Sequence, residues 1–246
     1  MSERVYNKLM RVEPFTINNY IHVIKRGGRG LEITSDQSDK SRFLHLLYYM
    51  NDKHNHDWWE KDIEGLNPFE WPANWQERKP IVKILCYTLM PNHFHFILKE
   101  IQEGGIAKFM KKIGGSMSKH FNEKYESKGS IFQGGYRGRT IEEDIYLRYL
   151  AIYIMVKNTF ELYPKGGLKG AQKNFNDAWE WAKTYEFSSF ADYSVYQENL
   201  SPIIDKDILG EIFSEKSFKS FSRDVILSGK WEKKNGDAEF VRLTME

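Results

Sequence analysis

The sequence predicts an α+β protein, in which an antiparallel sheet has helices on one face and a helical C-terminal extension follows. Three observations support this prediction. Some segments are rich in β-branched and aromatic residues, as strands are, and others carry apolar residues at helical spacing. Their order along the chain is strand, helix, hairpin, helix, strand and helix, which is typical of a fold built on one antiparallel sheet.

The first strand and the first helix precede a long polar segment. Residues 17–26 end at Gly27-Gly28 and predict a strand followed by a turn. Residues 38–51 begin with a capping Ser or Asp and repeat apolar side chains at helical spacing, which predicts a helix. Residues 53–79 contain four tryptophans, two prolines and no clear period. We therefore expect an irregular insertion there.

A hairpin is the clearest local prediction. Residues 81–90 and 93–99 predict two strands, and Pro91-Asn92 suits the two central positions of the tight turn between them.

The remaining core elements are a helix, a strand and a second helix. Residues 104–125 have helical periodicity, which Gly114-Gly115 weakens. Residues 131–139 predict a strand interrupted by glycines, where another molecule can approach the backbone closely. Residues 144–157 predict a helix with one apolar stripe.

From residue 170 onward the chain carries helical segments without strand signals and then a polar tail. We therefore expect a core of ferredoxin-like character over residues 1–165 and a helical extension over residues 166–246.

Composition limits the cellular compartment. The single cysteine, Cys86, excludes an internal disulfide framework, so a reducing cytoplasm is expected. No apolar run approaches the roughly 18 residues that span a bilayer, and the N-terminus lacks the apolar core of a signal peptide. We therefore expect a cytoplasmic protein.

Charge is unevenly distributed, although the net charge is only +2. From Lys99 to Arg139 there are nine lysines and arginines and four acids, a balance of 9 − 4 = +5. From Asn51 to Glu70 there are two bases and six acids, a balance of 2 − 6 = −4. The basic stretch indicates a face that contacts phosphates, although a solvated helical face explains it equally well.

His93 and His95 are candidate metal ligands. Side chains two residues apart on a strand point to the same face, so the two imidazoles project together while Phe94 and Phe96 face the core. Two imidazoles at this spacing supply half of a divalent-metal site. The pattern alone is weak, and its position directly after a Pro-Asn turn strengthens it.

Residues 89–98, Leu-Met-Pro-Asn-His-Phe-His-Phe-Ile-Leu, resemble the histidine strand of the single-tyrosine HUH transposases, especially the REP-associated tyrosine transposases. Other segments resemble, in the same order, the family's first strand, the end of a helix with the last core strand, the nucleophile helix and an aromatic-Ser-Ser turn. These segments are residues 20–27, 121–137, 149–158 and 185–190. The likeness covers roughly residues 15–195.

This resemblance implies an enzyme that cuts and rejoins single-stranded or hairpin DNA. In the family a divalent metal, Mg²⁺ or Mn²⁺, binds the scissile phosphate. A tyrosine hydroxyl attacks phosphorus, releases a 3′-hydroxyl and forms a covalent 5′-phosphotyrosine. The likeness to the REP-associated group also implies a host-resident enzyme that moves short palindromic repeats.

The resemblance implies Tyr153 as the nucleophile, because Tyr153-Ile154 matches the family best, and Tyr149 on the same helix face is the next candidate. Four residues later, Lys157 stands where the family has an Asn or Gln metal ligand. Asn158 follows, and a local helix bulge would bring it to the metal. Alternatively the third ligand differs or the site is degraded, and Lys157 contacts a phosphate or favours the tyrosinate.

Six side chains are candidates for DNA contact. Arg137 and Arg139 share one face of the glycine-broken strand and would hold backbone phosphates together with lysines of the preceding helix. Tyr136 would stack an unpaired base. The lysines are Lys111, Lys112 and Lys119. Ordinary surface charge explains any one of these residues about as well.

Three further histidines carry weaker signals. A neighbouring strand could place His22 beside the metal, but a hydrogen-bonded structural histidine is the preferred interpretation. His54 and His56 repeat the spacing of the histidine pair inside the polar insertion, where a chance pair is preferred.

Two other functions are compatible with the sequence. A non-catalytic nucleic-acid-binding module on the same fold needs neither the paired histidines nor a tyrosine. A metal-dependent hydrolase uses water as the nucleophile and forms no covalent adduct. The sequence does not distinguish a monomer from a homodimer.

Overall fold

A computed structural model describes residues 15–195, 201–229 and 244–245. Within these residues four strands form the sheet: β1 (Tyr20–Arg26), β2 (Val82–Met90), β3 (His93–Glu100) and β4 (Arg137–Ile141). The helices of the core are α1 (Gln37–Tyr49), α2 (Trp59–Asp62), α3 (Gly105–Lys124), α4 (Asp144–Ile152) and α5 (Asn158–Glu161), with a π-helical turn at Tyr153–Lys157 between the last two. The later helices are α6 (Gly167–Lys173), α7 (Phe175–Ala182), α8 (Phe190–Ser194), α9 (Asp207–Ile212) and α10 (Glu215–Ser228).

The sheet is antiparallel with the strand order β2-β3-β1-β4, so the predicted α+β fold class is confirmed. The predicted hairpin is present, with Met90 opposite His93 across the Pro91-Asn92 turn. Because successive side chains of a strand point to opposite faces, His93 and His95 lie on one face of the sheet and Phe94 and Phe96 on the other. We call these the histidine face and the phenylalanine face.

Helices α1 and α3 cover the phenylalanine face, as predicted. The Phe43 ring of α1 lies 5.2 Å from the Phe94 ring, and the Phe109 ring of α3 lies 6.1 Å from the Phe96 ring, measured between centroids. Helix α1 begins after Asp36, whose side chain accepts a hydrogen bond from the Asp39 backbone N–H. These buried aromatic contacts fix strand β3, and with it the direction of both histidines.

The histidine face is covered as well, by α4, the π turn and α5. Helical periodicity predicted one element over residues 144–157, and the structure divides this segment at Tyr153. Periodicity shows which side of a helix is buried but not which sheet face it covers. The second layer was therefore not predicted.

The last core strand is shorter than predicted and begins later. The segment before Gly134-Gly135 pairs with the end of β1, since the Gly28 N–H donates to the Ile131 carbonyl oxygen and the Gln133 N–H to the Arg26 carbonyl oxygen. The two glycines interrupt the pairing, and β4 starts at Arg137. The predicted strand over residues 131–139 is thus two short paired segments.

The insertion is largely irregular, as predicted, and contains one short helix, α2. It is held by a buried aspartate, Asp52, whose Oδ1 lies 3.0 Å from His54 Nδ1 and 3.3 Å from His56 Nε2. The Trp75 ring stacks on the His56 ring with centroids 3.7 Å apart. His54 and His56 are thus partners of a structural carboxylate.

Segment 187–189 covers the outer edge of β2. The Leu89 N–H donates to the Phe187 carbonyl oxygen, and the Ser189 N–H donates to the Tyr87 carbonyl oxygen. An exposed strand edge is a site of non-specific pairing, and this segment closes it. The aromatic-Ser-Ser turn therefore has a structural role at β2.

The C-terminal helices are anchored to the sheet at Asp207. Its carboxylate accepts hydrogen bonds from Tyr20 Oη at 2.6 Å, Lys83 Nζ at 2.9 Å and Lys99 Nζ at 3.1 Å. The division into residues 1–165 and 166–246 stays a prediction, and most of the polar tail lies outside the described residues. Among the described helices, none combines the length and the apolar character needed to cross a bilayer.

Candidate active site

His93 and His95 lie side by side on β3 with ring centroids 4.9 Å apart and ring planes at 76°. Both side chains are buried, His95 completely. The strand places them on one face, and the phenylalanines on the other face hold the strand against the core. The structure therefore brings the two predicted metal ligands together.

The His93 ring is oriented by the residue before it. His93 Nδ1 lies 2.6 Å from Asn92 Oδ1, which only accepts hydrogen bonds, so Nδ1 carries the proton. The Asn92 amide nitrogen donates to the Gly30 carbonyl oxygen at 3.3 Å. This arrangement leaves Nε2 of His93 as the nitrogen that can bind a metal.

The His95 ring is oriented by His22 on the neighbouring strand β1. His22 Nε2 lies 2.9 Å from His95 Nδ1, and the two rings are nearly parallel, with 13° between their planes. A metal would therefore be held by His95 Nε2, with the Nδ1 proton donated to His22. The sequence favours a hydrogen-bonded structural histidine at position 22, and the structure places His22 in direct contact with a candidate ligand.

Tyr153 packs against the histidine pair. Its ring centroid lies 5.9 Å from the His95 centroid, and the side chain is 2% exposed. Lys157 Nζ donates to the Tyr153 hydroxyl oxygen at 3.4 Å, and its charge is paired with Glu161 at 2.8 Å. The ring of the second candidate, Tyr149, packs against the Phe221 ring of α10 with centroids 5.3 Å apart and 34° between the ring planes.

The helix bulge considered for Asn158 is present. Residues Tyr153–Lys157 form a π turn, in which the Asn158 N–H donates to the Tyr153 carbonyl oxygen, five residues earlier. The Asn158 side chain is completely buried, and within the described part of the chain neither of its polar atoms has a hydrogen-bond partner. A buried amide without partners is rare and needs an explanation, such as a ligand that it would bind.

A buried hydroxyl network ties the π turn to β2. Thr88, opposite His95 in the sheet register, donates from its hydroxyl to the Ile154 carbonyl oxygen at 2.6 Å. Its oxygen lies 3.1 Å from Ser188 Oγ, which in turn accepts a hydrogen bond from Thr159 at 3.0 Å. The strand register and this network together fix the tyrosine helix over the histidines.

Three arginines lie on the histidine face. Arg26 pairs with His93 across the sheet, and Arg139 pairs with His22. Arg137 occupies the next position of β4 on the same face, and its Nη2 donates to the Met245 carbonyl oxygen at 3.0 Å. Beside them lies a cavity of about 330 Å³, lined by Ile24, Arg26, Gln133, Gly134, Gly135 and Arg137. Arg26 was not among the predicted residues, although it alternates with His22 at strand spacing.

The other predicted DNA contacts are not brought together with this site. Lys111, Lys112 and Lys119 lie on α3, which covers the phenylalanine face. Lys112 donates to the backbone carbonyl oxygens of Asp52 and His54, both at 2.7 Å, and Lys119 pairs with Glu123 at 3.9 Å. Burial, with the nearby charge of another lysine, lowers the pKa of Lys112 to about 8.

Tyr136 directly precedes β4 and is partly buried against the core. Burial, assisted by the charge of Glu100, raises the pKa of its phenol to about 12. Its ring is less available for stacking on a base than an exposed ring would be.

The site's donors fit a divalent cation. Within the described residues, no group of three or more His, Cys, Asp or Glu side chains is arranged to hold a metal ion. The candidate donors are instead two imidazoles and an amide, and nitrogen and oxygen donors of this kind suit Mn²⁺ and related metals. The orphaned amide of Asn158 is the observation that favours this donor set.

Comparison with known proteins gives three results. Residues 68–157 match the family model described as "Transposase IS200 like". No curated protein sequence matches the chain. Among solved structures, a REP-associated tyrosine transposase bound to a REP hairpin is 14% identical with a TM-score of 0.39, and the match covers 83% of this chain and 94% of that one.

A bacterial tRNA(His) guanylyltransferase-like protein is also similar. In its complex with ATP it is 13% identical with a TM-score of 0.36 and 75% coverage of both chains. In its complex with GTP it is 13% identical with a TM-score of 0.33, covering 71% of this chain and 74% of that one. Structural likenesses this distant say nothing about activity.

The family match includes strands β2 and β3, both histidines, Tyr153 and Lys157. It therefore confirms the resemblance to the single-tyrosine transposases, and residues 68–157 of the chain are similar to the IS200-like transposases.

Proposed function

We propose that this protein cleaves and rejoins single-stranded DNA through a covalent 5′-phosphotyrosine on Tyr153. The observation that carries the proposal is the contact between the buried Tyr153 ring and the histidine pair, at 5.9 Å from His95. The match of residues 68–157 to the IS200-like transposase family supports transposition as the biological outcome. Likeness of the sequence motifs to the REP-associated group favours short palindromic repeats as the DNA that is moved.

His93 Nε2, His95 Nε2 and the Asn158 side-chain oxygen would hold a divalent cation, Mg²⁺ or Mn²⁺. When bound, the cation supplies a positive charge at the scissile phosphate that offsets the charge developing there. Asn92 and His22 act as positioning residues, because each fixes one imidazole through its Nδ1.

The Tyr153 oxygen attacks phosphorus and forms the P–O bond to the enzyme. The bond to the 3′ oxygen breaks, that oxygen leaves and takes up a proton, and the phenol proton is lost to solvent. Lys157 Nζ, 3.4 Å from the phenol oxygen, stabilises the negative charge that this oxygen carries when it has lost its proton. Rejoining is the reverse reaction, in which another 3′-hydroxyl attacks and Tyr153 leaves.

The arginines of the histidine face would contact the DNA backbone. Arg26, Arg137 and Arg139 lie along β1 and β4 on the face that carries the histidines. Guanidinium groups bind phosphate oxygens in a planar, bidentate geometry. The strand would therefore run across β1 and β4 toward His93 and His95.

The decisive experiment uses single-stranded hairpin DNA, labelled at its 3′ end, with the full chain and Mn²⁺. A 5′-phosphotyrosine attaches the protein to the fragment carrying this label, so a labelled protein band is expected with the parent and with Tyr149→Phe. The band should vanish with Tyr153→Phe. Cleavage without any protein-linked DNA would support the hydrolase, and binding without cleavage would support the non-catalytic module.

A further inference from the structure

The C-terminal helices form a basic groove that shares no lining residue with the strands of the sheet. It has a volume of about 440 Å³ and lies between α10 and the segment containing α7 and α8. Its lining residues are Trp179, Lys183, Ser194, Glu215, Lys216, Lys219, Ser220 and Arg223. Four cations and one carboxylate thus line this groove.

Three of the cations belong to one face of α10. Lys216, Lys219 and Arg223 are three to four residues apart, so their side chains project from the same side of the helix. Within the described residues, none of the three forms an ion pair with a carboxylate, whereas Lys183 is paired with Glu180 at 2.8 Å. Like charges concentrated on one helix face repel one another unless an anion lies among them.

A buried hydroxyl supplies an independent indication of a ligand. Ser194 lines the groove and is 8% exposed, and its hydroxyl oxygen has no hydrogen-bond partner in the described part of the chain. Burial of a hydroxyl without a partner is unfavourable, and native structures contain few such groups. A phosphate oxygen entering the groove would accept the hydroxyl's hydrogen bond.

The groove suits a backbone more than a base. Its aromatic residue, Trp179, is only 1% exposed and cannot offer its ring face to an unpaired base. Helix α10 packs against α4 and the π turn, with Phe221 on Tyr149, so the groove lies one helix away from the proposed nucleophile. A DNA segment that extends from the cleavage site could therefore reach it.

We propose that this groove binds the phosphate backbone of a double-stranded DNA segment, independently of sequence. Lys216, Lys219 and Arg223 hold the phosphates, and Ser194 donates a hydrogen bond to one of them. The proposal concerns binding alone and does not require that Tyr153 be a nucleophile.

The test measures binding of the full chain to fluorescently labelled DNA duplex by anisotropy, in EDTA and over a series of salt concentrations. The variant is Lys216→Gln with Lys219→Gln. The matched control is Lys169→Gln with Lys173→Gln, which removes the same charge from exposed positions of α6. Each phosphate contact contributes about 0.9 to the slope of log affinity against log salt, so the variant should lose about 2 from this slope. The control should keep the parent's slope.

Ser194→Ala provides the second arm. It should weaken duplex binding severalfold without lowering the thermal midpoint, because it removes a hydroxyl that has no hydrogen-bond partner among the described residues. The proposal fails if the lysine variant and its control have equal slopes, or if only single-stranded DNA distinguishes them. It also fails if inorganic phosphate at equal ionic strength abolishes the difference, since the site would then bind a small anion. A failure here leaves the adduct test of Tyr153 unaffected.

Discussion

The backbone N–H of Asn158 donates to the carbonyl oxygen of Tyr153, five residues earlier. In a regular α-helix the fifth residue lies well away from the first, whereas a π turn brings it back toward the same side. The family's expected amide is absent at position 157, where Lys157 stands, and the π turn accommodates the displaced amide. The departure from the pattern that the resemblance implies thus fits the proposed role of Asn158 as the third ligand.

Replacing Asn158 should separate stability from activity. Asn158→Leu has nearly the same volume and removes two buried polar atoms that lack partners within residues 15–195, 201–229 and 244–245, so the free energy of unfolding should stay constant or rise by about 1 kcal/mol. Cleavage should fall, and the metal concentration for half-maximal cleavage should rise by at least about tenfold. Urea unfolding and a Mn²⁺ titration measure the two effects. Lower stability with unchanged metal dependence would show that the amide is purely structural.

Lys157 should contribute to the rate of the chemical step. Lys157→Gln keeps the chain length approximately but removes the charge 3.4 Å from the phenol oxygen, so single-turnover cleavage should slow by about 100-fold. Lys157→Arg should recover part of the rate. Oligonucleotide affinity, measured without metal, serves as the control and should change little. An equal loss of affinity and rate would instead indicate that Lys157 binds the DNA.

The hairpin could be predicted because all of its signals are local. The Pro91-Asn92 turn, the alternation of His93 and His95 and the adjacent phenylalanines lie within one short stretch. The possible bulge before Asn158 could also be inferred, because this amide stands one position later than in the family that the sequence resembles. Local signals thus predicted that the two histidines share a face, whereas Tyr153, which the structure places against His95, was chosen from the family resemblance.

Contacts between distant strands could not be predicted. The His22–His95 hydrogen bond depends on β1 lying between β3 and β4, a pairing that no local pattern specifies. The Thr88–Ser188 contact joins residues 100 positions apart. The lysines of α3 were expected to contact DNA together with Arg137 and Arg139, but α3 lies on the phenylalanine face and the arginines lie on the histidine face. Charge along a chain does not show which sheet face a helix covers.

Acid should weaken the junction between α1 and α3. Burial raises the pKa of Asp39, but hydrogen bonds from Lys124, the Ser35 backbone and Tyr125 outweigh it and lower the pKa to about 2. Because the pKa of Asp39 is lower in the folded protein than the unfolded value of 3.8, the ionised carboxylate stabilises the fold at pH values above 3.8. This contribution is lost as the pH falls from about 4 to about 2. Asp39→Asn should therefore cost about 2 kcal/mol near neutral pH and much less near pH 2.

Urea unfolding of the parent and Asp39→Asn at several pH values measures this difference. Glu103→Gln, at an exposed carboxylate, is the control and should show little effect at any pH. A cost for Asp39→Asn that stays constant down to about pH 2 would mean that the hydrogen-bonded geometry matters and the carboxylate charge does not.

His22 should act on metal affinity through His95. Its Nε2 holds His95 Nδ1 at 2.9 Å, so its loss frees the ring to rotate and to change tautomer, while Nε2 of His95 remains chemically able to bind. His22→Ala should therefore raise the Mn²⁺ concentration for half-maximal cleavage by about 10–100-fold and leave the rate at saturating metal nearly intact. His22→Gln offers an amide oxygen that can accept from Nδ1 and should recover part of the affinity. His95→Ala is the contrasting variant, because removing a ligand should abolish cleavage at every metal concentration. If His22→Ala behaved as His95→Ala does, His22 would itself be a ligand, and the His22–His95 hydrogen bond would have to break when the metal binds.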